Sequence, residues 1–465
     1  TPTTRSNGLP MCLFLTLPPS QTRIFTSAYE AWLSSSFQHP NLCIGRIMIT
    51  RRKFLQGSTA FFTLAGTGIT LGISNNRGLP SGDEKALIHL FFRGGMDAMN
   101  FLVPRTGVNR AEYESKRPNI KIPINLMLNL NNSFGLPDTC SELHTLYQAG
   151  KMAMIHAVGM PADLGSRSHF ESQAMYDYGT PGNSSNIDGW LARHVNSSPA
   201  INGTAVIPSM SPGNPPVSQQ GDANVLSIDD PSNFHPNPGR YAEEHLQTLS
   251  QIHSGSGFLD EAMQATIDNI NIITDLDLTI PDTYPNEALA KDLGLIAQVI
   301  KSNLGLQVAT VDFGGWDTHE NSGNLGTGSY VARLGTVSTA IGAFFDDLTA
   351  AGKDKNVVLT TQTDFGRRVR ENGNRGTDHG TAQAMMVVGG SINGGQVLGT
   401  FPGIADADLF LNTDLKMTTD FRQPLSDVVR NFLGNPNIDT VFPGYTGSHS
   451  IGLFPTDDIF TNGFD

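Results

Sequence analysis

The strongest constraint on the fold is a recurring pattern. Short, almost wholly apolar runs stop at glycine or charge and alternate with stretches of helical spacing. Ala86–Phe92 ends at Arg93-Gly94-Gly95. Met152–Val158 follows a helical stretch, Ser141–Ala149, that Gly150 stops. Leu306–Asp312, Asn356–Thr361 and Ala384–Val388 are further apolar runs, and Ser168–Tyr178 and Pro424–Leu433 further helices. Ser329–Ala351 is the longest helix. Its Val331, Leu334, Val337, Ile341, Phe344, Phe345 and Leu348 keep to one face, and Gly352 sits at its stop. A run of strand length that is apolar throughout suits a strand buried on both sides. Strands alternating with helices in this way predict an α/β fold around a mostly parallel sheet.

A chain of 465 residues accommodates one large α/β domain with an insertion, or two to three ordinary domains. The stretch from about residue 197 to 238 is rich in Pro, Gly, Ser and Asn and reads as irregular covering loops. Helical segments follow near Tyr241–His253 and Phe258–Ile273, so 197–285 is expected to be an insertion or cap. No internal repeat is visible. The last residues, Asp457–Asp465, read as a frayed acidic-aromatic end rather than a sorting tag. The formal charge of −13 argues against nucleic-acid binding, whose footprint is basic.

The N-terminal part differs in kind from this acidic body. The first 80 residues hold seven basic residues and a single acid, Glu30. Arg51–Gln56 reads RRKFLQ and precedes a weakly apolar run from Ala60 to Ile73. That is the architecture of a bacterial export signal of the twin-arginine (Tat) type. The run is too short for a membrane span, which needs about 20 residues. Residues 48–80 are therefore expected to be a signal peptide cut between Ser74 and Ser81. The Tat translocase is then a transient partner, the destination is periplasmic or secreted, and no membrane segment remains. Met48 stands three residues before Arg51 and is expected to be the start, with residues 1–47 as upstream translation. Without Cys12 and Cys43 the body keeps only Cys140, which excludes an internal disulfide and a cysteine zinc site.

Ligands of an open α/β sheet bind beyond the carboxyl ends of its strands. Asp97, then Ser166, Ser168 and His169, then Asp317 and His319, then Asp364 follow successive predicted strands. His379 and its neighbour Asp378 precede a strand and join the same edge only if Ala384–Val388 runs antiparallel. Carboxylates with one or two imidazoles suit zinc, manganese, magnesium or calcium. Each residue also has a plainer reading. Ser168 with Glu171 forms a capping box, His169 packs at a helix start, and Asp97 and Asp364 cap the segments after them. Asp317 fits a hydrogen-bonded turn, and Asp378 orients His379 from behind. The motifs G-x-S-x-G and H-E-x-x-H are absent.

FFRGGMDAMN (91–100), RSHFESQ (167–173), GGWDTHE (314–320), TDFGRRVRENG (363–373), GTDHG (376–380) and TTDFR (418–422) occur in this order. With the twin-arginine signal they resemble the exported bacterial family called domain of unknown function 1501, over residues 48–435. That family is similar to the alkaline phosphatase superfamily, which includes sulfatases and phosphodiesterases. The resemblance implies a three-layer sandwich in residues 81–465, with a mostly parallel sheet and an antiparallel edge strand. It implies a divalent metal on Asp97, Asp317, His319, Asp364 and His379, with Asp378 behind them. It implies Ser168 (or Ser166) as nucleophile in an in-line displacement on a small anionic ester, phosphate before sulfate. Arg93, in preference to Arg367, would bind the anion. Two departures stand out. Phe365 occupies the place of a histidine that serves a second metal, which favours a single metal, or one zinc with a hard oxygen-liganded ion. RSHFESQ also lacks the sulfatase pattern Cys/Ser-x-Pro-x-Arg. The alternative is a secreted scaffold or binding protein of the same fold that kept a structural ion.

Overall fold

The computed structural model describes residues 83–455, except 187, 200–206, 222–224, 229–241 and parts of 258–275. It also contains two short strands, Phe61–Leu64 and Ile69–Gly72, paired antiparallel. Residues 1–60, with the twin arginines, lie outside the described residues. So do the expected cleavage region, the tail 457–465 and much of the expected helix Phe258–Ile273.

Nine strands form the main sheet: β1 (Ala86–Phe92), β2 (Met152–Gly159), β3 (Ser209–Ser211), β4 (Val225–Ser227), β5 (Val308–Phe313), β6 (Val357–Thr363), β7 (Gln383–Gly389), β8 (Gln396–Leu398) and β9 (Thr419–Asp420). Their order is β8-β2-β7-β6-β1-β5-β3-β4, with β9 also on β2. The strands from β6 to β4 run parallel to their neighbours. The expected antiparallel strand is β7. It lies between β6 and β2, so the margin on that side is β8.

Every residue of β1, β2, β6 and β7 is buried, as their unbroken apolar character requires of strands covered on both faces. Side chains alternate between two cores. Ile88, Leu90 and Phe92 join Leu334, Ile341 and Phe344 of the long helix Ser329–Ala350 on one face. Leu87 and Phe91 join Met175, Trp190, Leu425 and Val428 on the other. The molecule is thus a three-layer α/β sandwich. The stretch read as covering loops supplies β3 and β4, which extend the sheet beyond β5. Their three-residue length carries too little pattern to separate them from loop. The expected helix Pro424–Leu433 is α-helical over Arg422–Asp427 and continues as a π turn, Val428–Phe432.

Register places the chemistry. Phe313 of β5 and Thr363 of β6 both pair with Phe92 of β1, so three parallel strands end level. Antiparallel β7 begins at the same edge, with Gln383 beside Val158 near the end of β2.

Three histidines are buried in this framework. His89 bonds Thr360 Oγ1 at 3.0 Å and meets the Trp190 ring edge-on. His156 packs between Phe134 and Phe401, and His194 pairs with Asn435. Burial holds them down to about 3, 4 and 4, with the Arg93 charge adding to the effect on His89. Each stays neutral in the fold but takes a proton below about 6.5 once unfolded. Their contribution is therefore complete above that pH and is lost as pH falls towards 4. Stability should fall from pH 7 to pH 4.5. His156→Phe, which retains the ring contacts, should flatten that dependence by about 1.4 kcal/mol per pH unit in denaturant titrations. An unchanged slope would show that His156 protonates freely in the fold.

Candidate metal centre

Four loops meet at the level strand ends. Asp317 and His319 lie on the loop after β5, and Asp364 directly follows β6. His379 precedes β7 and is pinned by a bridge between its backbone and that of Arg367. His169 opens the helix His169–Tyr178 after β2. The Asp317 Oδ1 atom is 3.1 Å from Nε2 of His319, 3.4 Å from Nε2 of His379 and 3.5 Å from Nε2 of His169. The His319 and His379 Nε2 atoms are 2.8 Å apart.

The far nitrogen of each ring faces an acceptor. His169 Nδ1 is 2.5 Å from Asp364 Oδ2, and His379 Nδ1 is 2.8 Å from the Arg167 carbonyl. His319 Nδ1 is 3.5 Å from Asp378 Oδ1. A carbonyl or carboxylate there keeps the proton on Nδ1 and turns the Nε2 lone pair inward. His169 Nε2 is buried without a hydrogen-bond partner. Three imidazole nitrogens thus lie around one carboxylate oxygen, and donors of this kind are the chemistry of a divalent-cation site. Of these, His169, Asp317 and His379 each place one ligand atom within 4.8 Å of the others, and His319 flanks that group beside Asp317 and His379. These residues fit the metal that the sequence implied. With Asp317 48% and His319 43% exposed, the site stands open on one side.

Charge is arranged to match. Burial would raise the Asp317 carboxyl, but the hydrogen bond and charge of Arg367, 2.6 Å away, outweigh it and hold it below its usual value. A hydrogen bond from Asn372 does the same for Asp378. Burial, with the nearby Arg367 charge, lowers the pKa of His379 below its usual value.

The other expected residues have different places. Asp97 forms a bidentate pair with fully buried Arg117 and caps the turn after it by accepting from Met99 N–H. Its side chain is directed to Arg117 rather than to the histidines. Asp364 is fully buried and reaches the centre only through His169. It also accepts from Gly94 N–H at 3.1 Å and Gln173 at 2.9 Å. Arg93 pairs with Asp177 at 3.0 Å and Asp312 at 3.1 Å, which engages it away from an anion. Ser168 occupies the cap position of its helix without capping it. Ser166 accepts from Ser168 N–H and donates to Glu171, so Glu171 does not close a capping box with Ser168. Phe365 forms a floor, 4.8 Å from the His169 ring and 4.4 Å from that of His379.

His169, a candidate at the ligand edge whose plainer reading was packing at a helix start, is the residue this arrangement adds to the ligand set that the resemblance implied. Its signal was adjacency to Ser168 in a loop already placed at the ligand edge. What hid it is that its anchor, Asp364, lies 195 residues away. Gly94 shows how tightly the loops meet. Its φ is +120°, and a Cβ there would lie 2.6 Å from Asp317 N.

The family model described as "Protein of unknown function (DUF1501)" matches residues 84–429. No curated protein matches the chain. Solved structures similar to it include Ps i-CgsB in complex with k-i-k-neocarrahexaose, at 10% identity and a TM-score of 0.39, covering 79% of this chain and 75% of that one. The lipoteichoic acid synthase LtaP from Listeria monocytogenes is 8% identical with a TM-score of 0.30, covering 83% and 78%. Alkaline phosphatase from the Antarctic bacterium TAB5 is 9% identical with a TM-score of 0.24, covering 66% and 92%.

Two substitutions separate anchoring from folding. Asp364→Asn should weaken zinc affinity about 10–100-fold by calorimetry, because it loosens His169. Asp97→Asn should leave zinc stoichiometry unchanged and lower unfolding free energy by about 3–5 kcal/mol, because Arg117 would lose its buried partner. Loss of zinc in Asp97→Asn would make Asp97 a ligand after all.

Proposed function

This chain belongs to the DUF1501 family, and from that premise we propose that it is a metal-dependent hydrolase of phosphate esters, with sulfate esters as the lesser alternative. The observation that carries the reading is the convergence of His169, His319 and His379 Nε2 on Asp317 Oδ1, with an acceptor at each Nδ1. A divalent cation held there supplies Lewis-acid polarisation of an ester oxygen and lowers the pKa of an oxygen nucleophile. The protein's own groups do the rest. Asp364, gripped by Gly94 N–H and Gln173, keeps the His169 proton on Nδ1 and the ring in place. The Arg167 carbonyl does the same for His379. Phe365 walls the two rings from below and excludes water from that side.

Ser168 is our candidate nucleophile. It is exposed, it directly precedes His169, and its hydroxyl is not engaged as a helix cap. The openness of the metal centre favours a catalytic over a purely structural ion, since structural zinc sites are closed by protein ligands. The RRKFLQ segment supports export by the twin-arginine route, which would put the site to work outside the cytoplasm. Among the described residues no helix is long and apolar enough to cross a membrane.

The test is metal content of natively exported protein beside an Asp317→Ala/His319→Ala double variant. One tightly held divalent ion per chain is expected in the first and none in the second. Hydrolysis of aryl phosphate, phosphodiester and sulfate substrates should need that ion, and Ser168→Ala should lower kcat at least 100-fold with metal content unchanged. Full activity after Ser168→Ala would remove the serine from the mechanism. Absence of stoichiometric metal from both proteins would overturn the hydrolase reading.

A further inference from the structure

Five arginines around the metal centre are matched to carboxylates. Arg93 faces Asp177 and Asp312, Arg117 faces Asp97, and Arg167 faces Asp414. Arg367 faces Asp317 and Arg368 faces Asp378. Arg333 is different. Among the described residues it has no carboxylate partner, and its one hydrogen bond runs from Nη1 to the Gly314 carbonyl at 2.9 Å. Yet its position is built. Its guanidinium carbon lies 5.5 Å from the centre of the Phe313 ring and 5.8 Å from that of Trp316. It rests on Gly315, where φ is +88° and a Cβ would stand 2.6 Å from that carbon. Only glycine admits both that backbone and that neighbour.

Gly314 and Gly315 immediately precede Trp316 and Asp317 on one exposed loop. Two residues of chain span at most about 7 Å, so the guanidinium sits within about 11 Å of the Asp317 Cα. Arg367, at 2.6 Å, already fills the place against the Asp317 carboxylate. Arg333 therefore rests on the loop that carries Asp317, two residues before it. A held, half-buried guanidinium whose remaining N–H groups face no acceptor among the described residues is suited to bind an anion such as phosphate, sulfate or carboxylate.

We propose that Arg333 anchors a second anionic group of the substrate, beyond the one that reacts, so that the natural substrate is an ester carrying at least two anionic groups. This rests on the metal-centre reading above and adds the substrate class to it. The test compares two ligands that cannot be hydrolysed, hexylphosphonate and hexane-1,6-diphosphonate, by calorimetry on the full metal-containing protein. The wild type should bind the diphosphonate at least tenfold more tightly. Arg333→Ala should erase that difference and leave the hexylphosphonate Kd within twofold, and Arg333→Lys should restore part of it. A tenfold preference that survives Arg333→Ala, equal loss of both ligands, or no preference in the wild type would each overturn the second anchor. His379→Ala separates the two readings, because it should weaken both ligands together. If hexylphosphonate binds His379→Ala as it binds the wild type, the metal-centre reading fails, and the present one with it.

Discussion

The structure turns on a single buried carboxylate. Asp364 directly follows β6, where water is excluded and an ionised group must be satisfied by protein. It finds Gly94 N–H on the loop after β1, and His169 and Gln173 on the helix after β2. Its backbone carbonyl accepts a further bond from the Ser172 hydroxyl. One residue thus ties two neighbouring strands to the helix that covers the other end of the site. Because β1, β5 and β6 end level, the same tie brings the β5 loop within reach. The price of burying this charge is met by ordering three elements at once, and the His169 ring is oriented as a result.

Arginine plays a matching role around it. Arg367 is fully buried and donates to the carbonyls of Gly94, Gly95 and Thr377 as well as to Asp317. It therefore stitches three loops whose residues are far apart in sequence. Arg117 joins Asp97 to the carbonyls of Arg368 and Val369 in the same manner. A lysine could not replace either, because a point charge with three donors cannot address several carbonyls across a planar fork. The motifs RGGMD and DFGRR are thus largely a scaffold of arginine-to-carbonyl bonds on which the histidines are mounted.

The sheet was legible in the sequence because its central strands are long, apolar and bounded by glycine. Ala86–Phe92 appears with its expected limits. The short strands Ser209–Ser211 and Val225–Ser227 were hidden in a Pro- and Gly-rich stretch, where three residues carry no period. At the site, strand ends indicated which loops converge, but not which side chain on each loop faces inward. Asp97 and Asp364 have the right chemistry and the right edge, and the structure turns them to Arg117 and His169 instead. That choice depends on partners 20 and 195 residues away, and no local pattern encodes it.

Phe365 gives the departure from the superfamily pattern a physical meaning. A histidine at this position would add a further donor below the cluster, and the surrounding rings would have to part to admit a second ion. The phenyl ring packs against His169 and His379, and a side chain on Gly95 would collide with it at 2.6 Å. It cannot shift without disturbing the strand-end loops. With apolar wall on this side and Arg367 against Asp317 on another, the donors are confined to one small group facing solvent. A second cation would meet a guanidinium and a hydrocarbon surface, where neither charge nor lone pairs favour it. The donors of His169, His319, His379 and Asp317 thus form one group, bounded by Phe365 on one side and Arg367 on another.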